Sequence, residues 1–205
     1  MQFDPNELDY SAVYKLLTGA IIPRPIGWIS SISEDGINNL APFSYFNAVG
    51  DDPPHVMFSA GRGNNTNKDT LNNVLNTKQF VVNMVTEALA EKMNLTAQSV
   101  PSHVDEFALA HIDSFPSIKV KPLRVKESPI TFECELVHHY FLEDHKNGGA
   151  CIIIGRIIMM HFDEKVILDN YKINMETYKP VARLAGSNYS KIGEVFSIKR
   201  TRSEE

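Results

Sequence analysis

The stretch Gly61-Arg-Gly-Asn-Asn-Thr-Asn-Lys-Asp-Thr70 gathers groups that could hold an anion. Phosphate sites are built from backbone N–H groups at a helix start, small hydroxyls and one or two cations. This stretch and the strand-like run before it offer Ser59, Arg62, Thr66, Lys68 and Thr70. Thr70 opens a run of helical spacing with Leu71, Val74 and Leu75 on one face. Neither standard phosphate motif is present. No glycine precedes Lys68, so GxxxxGK[ST] fails, and Gly61-x-Gly63 is followed by Asn65-Thr66 rather than by a third glycine. Taken alone, the stretch reads as a polar turn with an N-cap.

Other chemistry-bearing residues offer less. His138-His139, with Glu143 and His145 beyond them, could suggest a metal, but adjacent strand residues point to opposite faces. No HExxH or Cys/His set appears, and His55 and His161 stand apart, so no metal site is expected. GxSxG is absent, and no nucleophile is seen with its partners. Cys134 and Cys151 lie far apart in apolar, strand-like runs, where a cysteine behaves as a small hydrophobe.

The elements that would position these groups follow from pattern. Asp9 is an N-cap for the helical run from Ser11 to Ile21, with Val13, Leu16, Leu17 and Ala20 at helical spacing and Gly19 as a stop. Pro23 and Pro25 break helix, and Ile26 to Ile32 reads as a strand. Glu34-Asp-Gly36 is a tight turn, and an aromatic, extended segment runs from Ala41. Strands are expected at 55–60 and 79–85, helices at 68–77 and 87–98, and irregular chain over 98–116. In the 87–98 helix Leu89, Met93 and Leu95 would face inward. Two long apolar runs, 130–144 and 150–164, meet at Gly148-Gly149 and read as an antiparallel hairpin. The order lacks regular βα alternation, so the expected fold is mainly β with inserted helices.

The chain has 205 residues, 43% of them hydrophobic, enough for one domain over 1–205. Its core would span about 17–189, with a frayed, charged tail over about 199–205. A net charge of −5 offers nothing to attract nucleic acid or an anionic membrane. The N-terminus lacks the apolar core of a signal peptide, and no window approaches the roughly 18 apolar residues of a membrane span. A cytoplasmic location is the expectation.

One set of segments, taken together, resembles a known family. Arg24-Pro25-Ile26 with Trp28 and Ser30, Asn39-Leu-Ala-Pro-Phe-Ser44, Pro53-Pro54, Lys68-Asp69-Thr70 and the closing Arg183…Gly186…Tyr189 resemble, in this order and spacing, the flavin reductase-like family of FMN-binding split barrels. The resemblance runs from about Leu17 to Tyr189, with Ala185 where relatives often carry glycine. It implies a Greek-key type split β-barrel, FMN as cofactor, and NADH or NADPH as co-substrate. It also implies a homodimer with FMN near the dimer seam and a small-molecule or protein electron acceptor.

For individual residues the resemblance implies that Lys68 and Ser59, with amides near Asp69 and Thr70 and a contribution from Arg62, hold the FMN phosphate. Ala41, Pro42, Phe43 and Ser44 would run along the isoalloxazine, which needs a flat wall with a few fixed donors. Arg183, Gly186 and Tyr189 would reach the flavin or its nucleotide partner. Asn83, polar inside an apolar strand, needs hydrogen-bond partners that either a flavin edge or neighbouring backbone could supply. Trp28 is expected to pack. No protein acid or base is required, because the flavin N5 carries the chemistry. A non-catalytic FMN electron carrier, reduced by a separate partner, is the alternative, and a split barrel without flavin is a third reading.

Overall fold

The computed structural model describes residues 1–62, 66–142 and 149–199. Residues 63–65, the expected turn residue Gly148 and the chain from 200 onward lie outside the described residues. Helix α1 (Tyr10–Ala20) is capped by Asp9, whose carboxylate accepts the Ala12 N–H at 2.8 Å. It runs through Gly19, one residue beyond the expected stop. Its apolar side enters no core. Only Thr18 is buried, while Tyr10, Tyr14, Leu16 and Leu17 remain 45–61% exposed.

Seven strands form one antiparallel sheet: β1 (Gly27–Ile32), β2 (Asn38–Phe43), β3 (Phe46–Asp51), β4 (Pro54–Gly61), β5 (Gln79–Met84), β8 (Ile130–Phe141) and β9 (Ala150–Phe162). Short strands β6 (Ser114–Phe115) and β7 (Arg124–Val125) pair separately, as do β10 (Val181–Arg183) and β11 (Tyr189–Lys191). The spatial order is β2-β1-β5-β8-β9-β4-β3. Its two edge strands, β2 and β3, are consecutive in sequence and joined only through Ser44 and Tyr45. The sheet must therefore curl until its edges meet, which closes a barrel while leaving that seam without a ladder. The β3–β4 ladder runs up to the Ser44-Tyr45 turn, where the Ser59 N–H donates to the Tyr45 carbonyl at 2.8 Å. This is a split barrel.

β8 and β9 pair from Ile130↔Phe162 to Phe141↔Cys151, as the two apolar runs predict. Close packing across the barrel fixes Gly155 on β9, because an added Cβ would collide with the Phe80 ring. Inside lie Ile29, Phe43, Phe58, Phe80, Cys134, Cys151 and Ile153, with Leu71 and Val74 of helix α2 (Asp69–Thr77) closing one end. Alternation along β1 sends Ile29 inward and Trp28 to a second core outside the barrel. That core holds Leu40, Leu89, Met93, Phe107 and Val125, and it packs under helices α3 (Ala90–Leu95) and α4 (Glu106–Leu109).

Two expectations fail locally. The helix expected over 87–98 splits into a 3-10 turn, Glu87–Leu89, and α3. Thr96 ends it by turning its hydroxyl back to the Met93 carbonyl at 2.8 Å, and Leu95 is left 47% exposed. The irregular 98–116 segment contains α4, capped by Asp105 through the Phe107 N–H at 2.8 Å. A further short helix, α5 (Met175–Tyr178), precedes β10. No helix among the described residues is long and apolar enough to cross a membrane.

Candidate functional site

Along the outer side of edge strand β2 run two adjoining hollows of about 320 and 200 Å³, which share Pro42 and Ala97 as wall residues. Together they make one trench. At one end it meets the start of α2, with Lys68, Asp69 and Thr70 on its wall. At the other it passes Ser44 and reaches Tyr14, Arg183 and Tyr189.

The α2 end has the chemistry of an anion seat. Lys68 occupies the N-cap position and offers no side-chain acceptor to the first turn. Its carbonyl takes the Leu71 and Asn72 N–H groups, at 2.9 and 3.1 Å. The N–H groups of Asp69 and Thr70 have no acceptor among the described residues. Two aligned amides at a positive helix end therefore open beside an exposed ammonium. The Lys68 Nζ has no carboxylate partner and lies 5.6 Å from the Phe43 ring centroid. The Thr70 hydroxyl is not available to a ligand: it is buried and donates to Asn39 Oδ1 at 2.7 Å.

Behind this seat is a buried polar cluster. Glu106 of α4, 4% exposed, accepts from Asn39 Nδ2 at 3.1 Å and from the Leu40 N–H at 3.0 Å. Asn39 in turn accepts from Thr70 and from Ser31. The carboxylate thus fixes the amide that fixes the first turn of α2. Burial pushes the Glu106 carboxyl above its usual range, against the pull of the Leu40 N–H and Asn39, and the nearby Asp69 adds to the rise.

The other half of the trench follows the free edge of β2. Because Leu40 gives its N–H to Glu106, the edge groups of alternate β2 residues face away from β1. Pro42 takes the next such place and has no N–H to leave unpaired. Ser44 follows, held by the Arg24 Nε at 3.4 Å. Arg24 is 6% exposed and donates to the Thr18, Ile21 and Leu184 carbonyls at 2.6, 2.5 and 2.9 Å. One buried cation therefore ties the C-terminal end of α1, the closing segment and the Ser44 turn together. Arg183 stacks on Tyr189, 4.5 Å from its ring centroid, and Tyr189 donates to Asn94 Oδ1 at 3.1 Å.

The trench thus gathers Ala41, Pro42, Ser44, Lys68, Asp69, Thr70, Arg183 and Tyr189. Phe43 turns its ring into the barrel core and brings only backbone to the trench side. Ser59 and Arg62 do not line it. Ser59 lies on β4 opposite Ile152 of β9, and Arg62 donates to Asn67 Oδ1 at 2.9 Å and lies over Phe141. Gly186 is exposed at φ +60 and serves the turn between β10 and β11, where its carbonyl accepts from Arg183. Asn83 requires a correction. It is fully buried, its amide donates to the Trp28 carbonyl at 2.9 Å and to Ser30 Oγ at 3.3 Å, and its oxygen accepts the Val125 N–H at 2.8 Å. Backbone and a neighbouring hydroxyl complete it, and no group is left for a ligand. Trp28 packs, with its indole N–H on Thr96 at 2.9 Å.

The sequence reading missed Glu106, Asn94 and Tyr14. Glu106 meets β2 across 66 and 67 residues of chain, so no local spacing reveals it. Asn39 lies inside the quoted Asn39–Ser44 segment, but its role depends on the same distant contact.

The residues suit a molecule with a phosphate at one end and a planar, polar-edged ring at the other. Open amides and an unpaired ammonium match the first, and an edge strand with a smooth proline wall matches the second. Comparison with known proteins agrees. A protein of Aquifex aeolicus is 43% identical over 192 residues, 93% of this chain and 95% of that one. The structure of nitrilotriacetate monooxygenase component B from Bacillus cereus superposes with a TM-score of 0.92 at 37% identity, covering 97% of this chain and 98% of its own. That of 2-nitrobenzoate 2-nitroreductase NbaA from Pseudomonas fluorescens gives 0.86 at 30% identity, covering 98% and 96%. Residues 19–178 match the model of the flavin reductase like domain, and the chain belongs to that family.

Proposed function

We propose that the protein is an FMN-binding, NAD(P)H-dependent oxidoreductase that passes electrons to a small-molecule or protein acceptor. The observation that carries this is the continuity of the trench from the open first turn of α2 to the Pro42–Ser44 wall. Bound FMN would supply the redox chemistry at N5, taking a hydride from the nicotinamide and giving electrons onward. The chain's own residues bind and orient. Lys68 and the Asp69 and Thr70 amides hold the phosphate, a monoester that suits one ammonium and two N–H groups. Glu106 and Asn39 keep that turn in register with β2. Ala41, Pro42 and the Phe43 backbone form the ring wall, Arg24 orients Ser44 toward the ring's polar edge, and Arg183 and Tyr189 border the face left for the second substrate.

We further propose a homodimer in the cytoplasm. Tyr10, Tyr14, Leu17, Ile21, Tyr45 and Val49 are all at least 40% exposed, and Tyr14 also lines the trench. An apolar surface of this kind favours burial against a second copy, beside the flavin. Leu17→Asp should shift the protein toward monomer in sedimentation.

The decisive test is anaerobic addition of NADH or NADPH to FMN-loaded protein, followed by the visible flavin bands. Bleaching is expected. Bands that persist, with dithionite still able to reduce them, would favour the electron carrier fed by another protein. A protein that takes up no FMN would remove both readings.

A further inference from the structure

A cavity of about 720 Å³ lies next to the trench. It lies between the 86–90 segment, the chain around Asp163–Val166, α5 and β11. Tyr189 lines both spaces, so one extended molecule could occupy the two together.

Its walls carry three carboxylates and three ammonium groups, and most are already committed. Glu87 closes on Lys191 at 2.7 Å, and Glu127 closes on Lys92 at 3.0 Å. Asp163 accepts the Lys165 backbone N–H at 2.9 Å. The ammoniums of Lys165 and Lys179 and the hydroxyls of Thr86, Thr177 and Tyr178 make no hydrogen bond or ion pair among the described residues. Burial pushes the Tyr178 phenol up to about 12, so it stays protonated and able to donate. The rest of the lining is mainly apolar, including Ala88, Ala90, Pro129, Val166 and Val181. An occupant with an apolar, planar body and anionic acceptors would complete such a wall. Two ammoniums stand without a carboxylate partner and can receive phosphate.

We infer that this cavity binds the phosphorylated nucleoside end of the dinucleotide donor, with Lys165, Lys179 and Tyr178 as its ligands and the nicotinamide reaching past Tyr189 into the trench. This rests on the proposed use of a nicotinamide donor, but its test does not depend on electron transfer. The probes are 5′-ADP and 2′,5′-ADP, titrated calorimetrically into FMN-loaded protein. Saturable binding of either is expected, and the pair distinguishes a diphosphate from a 2′-phosphate as the group recognised. Binding should weaken at least tenfold in the Lys165→Gln/Lys179→Gln variant and severalfold in Tyr178→Phe, with FMN affinity and melting temperature unchanged. Lack of binding by both probes, or equal binding by wild type and double variant, would overturn the inference. If NADPH or NADH bleaches the flavin while neither probe binds, the donor uses another surface and the proposed activity stands. If no nicotinamide bleaches it but a probe binds and is lost in the double variant, the cavity is a nucleotide site and the proposed activity falls.

Discussion

Replacing Lys68 with alanine isolates the phosphate anchor. The ammonium is exposed and has no carboxylate partner, so its removal strands no buried charge. The helix start depends on the Lys68 carbonyl, which alanine retains, so stability should change by no more than about 0.5 kcal/mol. A hydrogen bond to a charged group contributes about 1.5–3 kcal/mol, which is roughly 10- to 150-fold in Kd. FMN affinity should fall by that factor, as measured by quenching of flavin fluorescence. Riboflavin has the same ring and no phosphate, so its affinity should not move. Raising ionic strength should weaken FMN binding in wild type more than in the variant, because screening acts on the pair that the variant lacks. Equal losses for FMN and riboflavin would show that Lys68 supports the ring or the fold. No loss for either would place the phosphate elsewhere and refute the reasoning.

Three other perturbations probe the scaffold. Burial raises the Glu106 carboxyl, so the folded chain retains its proton longer than the unfolded chain; the resulting destabilisation is absent below the unfolded pKa and complete above the raised folded one. Stability and FMN affinity should both decline with pH across that window, and Glu106→Gln should flatten both profiles. Glu133 is the opposite case. Its buried position alone would raise it, but the Ile118 and Lys119 N–H groups at 2.8 and 2.6 Å, with His161 at 2.6 Å, hold it below the usual range. The stability it contributes is full above the unfolded pKa and lost as pH falls through the depressed folded one; Glu133→Ala should cost about 3–5 kcal/mol near neutrality in urea unfolding. Gly155→Ala forces a methyl against Phe80 in the barrel core and should cost about 1–3 kcal/mol, read as a lower melting temperature.

Much of the barrel was legible because strands announce themselves by local pattern. The two runs around residue 149 and the strand at 79–85 are long and apolar, and they emerge as β8, β9 and β5. The capped start of α1 was equally local. What pattern could not show is how distant pieces share polar groups. Asn83 looks available in sequence, yet Trp28, Ser30 and Val125 consume it. Glu106 lies in a segment that reads as irregular chain, yet it organises Asn39 and Leu40 on a strand far upstream. The helical spacing of α1 marks an apolar face but not what covers it, and in this chain that face stays exposed. The 87–98 segment misleads because the Thr96 back-bond outweighs the periodicity that would carry Leu95 inward.

The most direct test of the central claim is a crystal structure of the protein loaded with FMN. The phosphate should sit within hydrogen-bond reach of the Asp69 and Thr70 amides and Lys68 Nζ, with the ring against Ala41 to Ser44. A phosphate seated in the cavity beside Tyr178 and Lys179, or a ring lying away from β2, would contradict it.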